Sequence, residues 1–235
     1  MDRTKTSFLH RSVVLDHASA DALHRIALRS AQVHVERRGT VWAVGAPVTA
    51  LYWIRSGIVS ERILVPNGRE LILAFRGRGD VIGEVGAITA ASVGRAVHAT
   101  MAVAHEEVLL YALPVEEIPE IVASDPSLAL AVAALTAERR QRAEERLATG
   151  LFRSAQARLA AALLDLASTF GVRDSRGVIV NLRLTHRDLA ALAGASRETA
   201  SVALLDWRRD GWIQVEGKRV VLLDPERLSA VARDG

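Results

Sequence analysis

The chain has 235 residues, enough for two compact domains, and half of them are hydrophobic at dispersed positions. It has no cysteine, which excludes disulfides, thiolate zinc sites, iron–sulfur clusters and cysteine nucleophiles together. The net charge is +3: residues 1–150 carry 17 Lys and Arg against 17 Asp and Glu, and residues 151–235 carry 13 against 10, so the excess sits in the C-terminal part and suits a polyanion. No apolar run approaches the roughly 20 residues of a membrane span, and the N-terminus lacks the apolar core of a secretory signal. The expected location is therefore the cytoplasm, with no membrane partner.

Residues 12–31 predict short helices with Leu15, Leu23, Ile26 and Ala27 turned inward. His10, His17 and His24 recur every seven residues, which in a helix only means a shared face. No carboxylate pattern accompanies them, so no metal site is expected. From Val33 to Leu113 the texture changes to strands, chiefly residues 51–54, 58–64, 71–75, 97–101 and 108–111. Pro66-Asn67-Gly68 marks a hairpin turn. Many short strands at near-regular spacing predict an antiparallel β-barrel or jelly roll.

Within that region, Gly79-Asp80-Val81-Ile82-Gly83-Glu84-Val85-Gly86 is followed by Gly94-Arg95-Ala96. The expectation is a short helix whose free backbone N–H groups face a buried arginine on the next strand, the parts from which phosphate sites are made. Arg95 pairing with Glu84 merely to hold the turn is an equally valid physical reading.

Val115–Ala123 predicts a short helix ended by Ser124-Asp125-Pro126, and a long helix follows, about Ser127 to Thr149. Leu128, Val132 and Leu135 form its apolar seam, read here as the contact between two copies of the chain rather than as packing on its own barrel. Gly150 is the expected hinge. Ser154–Phe170 is amphipathic, Gly171–Gly177 reads as a loop and residues 178–180 as a strand.

Thr185-His186-Arg187-Asp188 reads as a capped helix start, and Gly194 as its stop. Ser196 caps a second helix, in which Ala200, Ala203, Leu204 and Trp207 form the inward stripe. The opposite face carries Arg197, Glu198, Ser201 and Val202. Arginine can donate twice to guanine and glutamate can accept from cytosine, so the tip of this helix suits major-groove reading. Residues 212–215 and 220–222 predict a hairpin with Lys218 and Arg219 at its tip, and Asp224-Pro225 caps a final helix through Leu228. The whole is a winged helix-turn-helix. No nucleophile elbow, P-loop or dinucleotide fingerprint occurs, so neither enzyme activity nor catalytic residues are expected.

GDVIGEVG with Gly94-Arg95-Ala96, the long helix after the barrel, and GASRETAS resemble, in that order, the cyclic-AMP receptor protein / fumarate–nitrate regulator (CRP/FNR) superfamily of bacterial transcription factors. The resemblance covers roughly residues 30–225. It implies an α+β chain: an N-terminal antiparallel β-barrel with N-terminal helices (1–113), a short helix with a long dimerisation helix and hinge (114–150), and a winged helix-turn-helix (151–235). It implies effector contacts from Gly83, Glu84, Val85, Arg95 and Ala96; apart from the resemblance, Arg139 on the long helix could approach a ligand across the dimer seam. DNA contacts fall on Thr185, His186, Ser196, Arg197, Glu198, Thr199, Ser201, Val202, Lys218 and Arg219, of which Arg197 and Glu198 would specify sequence. The implied partners are a palindromic double-stranded DNA operator, a second copy of the chain and RNA polymerase.

The chain departs from the family in three places. Arg142-Ala143-Glu144 lacks the hydroxyl pair that holds adenine in cyclic-AMP-responsive members. Ala96 stands where they have serine, and Val202 replaces a second base-reading arginine. The effector is left open among cyclic AMP, another cyclic nucleotide, a cyclic dinucleotide, another small molecule and none. A haem-based sensor using His98 or another histidine as axial ligand is a further alternative.

Overall fold

The computed structural model describes residues 3–10, 12, 14–16, 18–65 and 68–234; His17 and the Pro66-Asn67 part of the expected turn lie outside these. The chain forms two compact units. One comprises Met1–Leu64 with Leu73–Arg142, the other Val65–Ile72 with Ala143–Gly235.

The first unit begins with α1 (Arg3–Leu9), a helix earlier in the chain than the sequence pattern predicts, and α2 (Ala20–Arg29), with turns between them. Strands β1 (Ala31–Val35), β2 (Thr40–Trp42), β3 (Ala50–Ser56), β4 (Val59–Leu64), β5 (Glu70–Arg76) and β6 (Val81–Ile82) precede α3 (Glu84–Val93). Strands β7 (Met101–Ala104) and β8 (Val108–Pro114) follow it. They form two four-stranded antiparallel sheets, in the orders β1-β8-β3-β6 and β2-β7-β4-β5. The architecture is a jelly roll of two sheets rather than one closed barrel.

Period-two alternation explains why the first sheet is covered on both faces. Trp53 of β3 and Tyr111 and Leu113 of β8 join Leu23, Ile26 and Leu128 in a cluster between sheet and helices. Their neighbours Ile54, Val108 and Leu110 join Trp42, Val59, Ala102 and Ala104 in a second cluster between the two sheets. Of the expected strand 97–101, only an isolated bridge at Val97 and the first residue of β7 materialise.

A 3₁₀ turn (Val115–Glu117) and α4 (Ile118–Ser124) lead into α5 (Ser127–Phe152). Leu128 of α5 is buried in the sheet–helix cluster, and Val132 and Leu135 pack against it. Leu128 of the expected inter-copy seam is therefore taken up by the protomer's own core, which covers Val132 and Leu135 only in part. The apolar face left in water is another one, with Leu130 74% exposed and Ala133, Ala134 and Ala137 exposed beside it.

Helix α5 also runs straight through Gly150, so no break occurs there. The break comes at Arg153-Ser154, where the Ser154 hydroxyl accepts from Ala157 N–H and starts α6 (Ala155–Phe170). The second unit continues with β9 (Gly171–Arg173), a strand where a loop is expected, and β10 (Val178–Val180). Helix α7 (His186–Ala193), α8 (Arg197–Arg209), β11 (Ile213–Glu216), β12 (Arg219–Leu222) and α9 (Pro225–Asp234) complete it. Its antiparallel sheet runs β11-β12-β10-β9. Among the described residues, no single helix is long and apolar enough to cross a membrane.

Candidate effector and DNA-reading sites

In the jelly-roll unit, α3 starts from Gly83, whose φ of 79° and ψ of 10° lie in the left-handed region that favours glycine. No side chain caps this start, and the first helical hydrogen bond runs from Ala87 N–H to Gly83 O. The N–H groups of Glu84, Val85 and Gly86 thus point out of the helix end without intrahelical partners. The Glu84 carboxylate is turned inward, 7% exposed, and lies 2.7 Å from Arg139 Nη1. Arg139 Nη2 donates to Val81 O at 2.7 Å, whereas its Nε and Nη1 make no aligned hydrogen bond among the described residues.

Arg95 stands elsewhere than expected. It is exposed in the segment after α3, lies on no strand, and makes no hydrogen bond or ion pair among the described residues. Glu84 therefore pairs with Arg139, not Arg95, and the reading in which Arg95 holds the turn through Glu84 is corrected. Val85 is 64% exposed, and Ala96 packs against the sheet–helix cluster.

Sequence reasoning missed an aromatic stack beside Gly83. Trp42 stacks on both Tyr52 and His98, with centroid separations of 5.7 and 4.5 Å, and a Cβ on Gly83 would be 3.6 Å from both Trp42 and Tyr52. Alternation in β2 and β3 signals that these rings are inward, but only the fold brings them together. Burial holds the His98 imidazole below its usual pKa, so the ring is a neutral packing element of the stack.

In the second unit, the capping box forms as the sequence predicts. Thr185 Oγ1 accepts from Asp188 N–H (3.1 Å) while the Asp188 carboxylate accepts from Thr185 N–H (2.9 Å). Gly194, at φ 62°, ends α7 in the left-handed conformation. The turn carbonyls are then fastened by arginines that sequence reasoning passed over. Arg158 Nε donates to Ala193 O (2.8 Å), its Nη2 to Gly194 O (3.3 Å), and Arg69 Nη2 to Ala195 O (2.7 Å). An arginine on the inner side of the amphipathic α6 is the signal that could have revealed the first of these.

The Ser196 hydroxyl accepts from Thr199 N–H (3.0 Å), so both expected phosphate-contact hydroxyls are engaged in the cap of α8. Ala200, Ala203, Leu204 and Trp207 are buried at 0–4% exposure, while Arg197, Glu198 and Val202 are exposed. Backbone donation at the helix start, the Ser196 hydroxyl and the adjacent Arg197 charge hold the Glu198 carboxyl below its usual range, keeping it an ionised acceptor. Ser201 Oγ lies 2.8 Å from His186 Nδ1. Between the start of α7 and the β11–β12 turn lies a cleft of about 220 Å³, its lining including Thr185, His186, Leu204 and Lys218. Lys218 and Arg219 are exposed on that wing.

The model of the Crp-like helix-turn-helix domain matches residues 157–231, and that of the cyclic nucleotide-binding domain matches residues 32–125. A CRP-like cAMP-activated global transcriptional regulator of Mycobacterium tuberculosis is 32% identical over 225 residues, which is 96% of this chain and 98% of that one. The global nitrogen regulator of Nostoc sp. is 27% identical, over 83% of this chain and 86% of its own. Among solved structures, the c-di-GMP-responsive global regulator CLP of Xanthomonas campestris superposes with a TM-score of 0.75 at 25% identity, covering 87% of this chain and 99% of that one. Relatives of this kind are transcription regulators, not enzymes. The chain belongs to the CRP/FNR family of transcription regulators, with a cyclic nucleotide-binding domain followed by a Crp-like helix-turn-helix.

Proposed function

We propose that the protein acts in the cytoplasm as a homodimer that reads a palindromic DNA operator, its affinity set by a small anionic effector in the jelly-roll domain. The division proposed is a sensor (1–113), a helical connector (114–150) and a DNA-binding part (151–235). The observation that carries the reading is the tip of α8. Arg197 and Glu198 stand exposed at its start, while the opposite face is anchored by Trp207 and Leu204. Such a helix enters a major groove with its first turn against the base edges. Thr185, His186, Ser196, Thr199, Lys218 and Arg219 are the proposed backbone contacts, which position without specifying.

A palindromic site is met by two copies, whose recognition helices stand about 34 Å apart. The exposed face of α5 around Leu130, Ala133, Ala134 and Ala137 is the surface proposed to join them. RNA polymerase is the proposed downstream partner.

The effector proposed is a cyclic nucleotide or cyclic dinucleotide. The uncapped start of α3 offers the N–H groups of Val85 and Gly86 to a phosphate, and Arg95 is free to add a guanidinium. Arg139 retains unaligned donors beside Glu84, which suits a contact with the sugar or base. A ligand preferring one arrangement of these groups would shift the population of DNA-competent dimers.

A second reading, regulation without a ligand, draws on the same pair, because Glu84 is already engaged by Arg139. Titration calorimetry of the full chain against cyclic AMP, cyclic GMP and cyclic di-GMP, paired with DNA-binding anisotropy on a selected operator, tests both. Saturable heat with a changed operator affinity supports effector control, operator binding without any heat supports the second reading, and failure to prefer any sequence refutes both.

A further inference from the structure

Helix α8 presents two different chemistries along its exposed side. Its first turn carries the charges of Arg197 and Glu198. One turn further come Ser201 and Val202, and then Leu205, in the i, i+3, i+4, i+7 relation to Glu198 that defines one helix face. Val202 is 55% exposed and Leu205 65% exposed. Single exposed apolar residues are ordinary on protein surfaces. Here two of them lie one turn apart, in line with the base-reading pair and short of Arg208 and Arg209.

The serine beside them has little left to give. The Ser201 hydroxyl donates to Arg197 O at 2.9 Å, and its oxygen lies 2.8 Å from His186 Nδ1. With its one proton committed and a lone pair engaged, Ser201 offers scant hydrogen bonding to a base edge. The middle of the exposed face therefore presents methyl groups. In the major groove the apolar feature that distinguishes one standard base is the C5-methyl of thymine.

We propose that Val202 is a specificity-determining residue that selects thymine by packing against this methyl. Four residues of helix rise about 6 Å and base pairs stack about 3.4 Å apart, so the thymine stands within about two base pairs of the base read by Glu198. The assignment rests on the reading of α8 as a groove-entering helix and adds a base identity to it. Leu205, a turn further on, shields the same contact from water.

The test uses the full chain and duplexes selected from a randomised library. Each thymine of the selected site is replaced singly by deoxyuridine, which keeps pairing and removes only the methyl. One position per half-site is expected to lose affinity about fourfold, the worth of one buried methyl-sized group. Val202→Ala, at an exposed helical position where alanine favours the helix, is expected to bind the thymine and uridine duplexes equally. Val202→Arg is expected to shift the preferred base pair there towards guanine. A selected site indifferent to every methyl, or a methyl effect unchanged in Val202→Ala, overturns the assignment while leaving sequence reading by α8 intact. Failure to select any sequence removes both together.

Discussion

Glu84, the first residue of α3, and Arg139, midway along α5, meet at 2.7 Å with both side chains largely withdrawn from water (7% and 12% exposed). One guanidinium thus ties the start of the candidate effector helix, through the Glu84 carboxylate and the Val81 carbonyl, to α5. Removing one partner of such a pair strands the other charge, which costs about 3 kcal/mol or more. Arg139→Met should lower the unfolding free energy by about that amount in urea titrations. Combining it with Glu84→Leu should recover part of the loss, because an apolar pair leaves no charge uncompensated. A double variant no better than the single one would show that Arg139 contributes packing rather than charge.

Arg95 is the contrasting case. It is exposed and has no partner among the described residues, so Arg95→Leu should change stability by no more than about 0.5 kcal/mol. If its guanidinium meets an effector phosphate, the same variant should lose the calorimetric response to cyclic nucleotides while melting and sedimenting like the parent. A retained response would take Arg95 out of the effector site.

The helix-turn-helix is readable in the sequence because its signals are local. Thr185 with Asp188, Gly194 and Ser196 each act within four residues, and the stripe Ala200-Ala203-Leu204-Trp207 follows from helical period alone. The effector region is less readable because its partners are distant. Spacing places Glu84 near Arg95, but the chain path brings Arg139 to Glu84 instead and leaves Arg95 in water. Periodicity likewise identifies an apolar seam at Leu128, Val132 and Leu135 without saying which surface covers it; the protomer's own core buries Leu128 and covers the other two in part. At Gly150 a local rule was overridden. Glycine costs a helix only about 1 kcal/mol, so α5 continues through it to Phe152. The stacking of Trp42 on Tyr52 and His98 brings together residues from two strands and the segment before β7, which no short motif records.

Asp125, before α5, gives a pH prediction. Its carboxylate accepts from the Ser127 hydroxyl (2.5 Å), Ser19 N–H (2.7 Å) and Ser127 N–H (3.2 Å), so it bridges the starts of α2 and α5. The Ser127 hydroxyl first, and the Ser19 N–H next, hold its pKa below the ordinary value. A lowered carboxylate pKa contributes stability above the unfolded-state value near 4, and that contribution is lost as pH falls through the lower folded value. Thermal melts from pH 6 downward should therefore show acid destabilisation setting in below about pH 4, and Asp125→Asn should flatten that limb while lowering the melting temperature at pH 6. Parallel pH profiles for the two proteins would exclude Asp125 as a contributor.

Arg197 separates reading from mere attachment. If its fork meets guanine, Arg197→Ala should cost roughly 1–3 kcal/mol on the preferred operator, yet much less on duplexes already mutated at the guanine it reads. The salt dependence of binding should change little, since no phosphate neutralisation is lost. Lys218, on the wing beside the cleft, should behave in the opposite way. Lys218→Ala should weaken binding to all sequences alike and lower the slope of log affinity against log salt by about one per lost phosphate contact. Glu198, held ionised by the start of α8, remains an acceptor for cytosine in both variants, so residual sequence preference should survive Arg197→Ala. Anisotropy titrations of the three proteins on matched and guanine-substituted duplexes at several salt concentrations distinguish these roles. Uniform weakening by Arg197→Ala with a shallower salt slope would reassign it to the phosphates and leave Glu198 as the main polar reader at the tip of the helix.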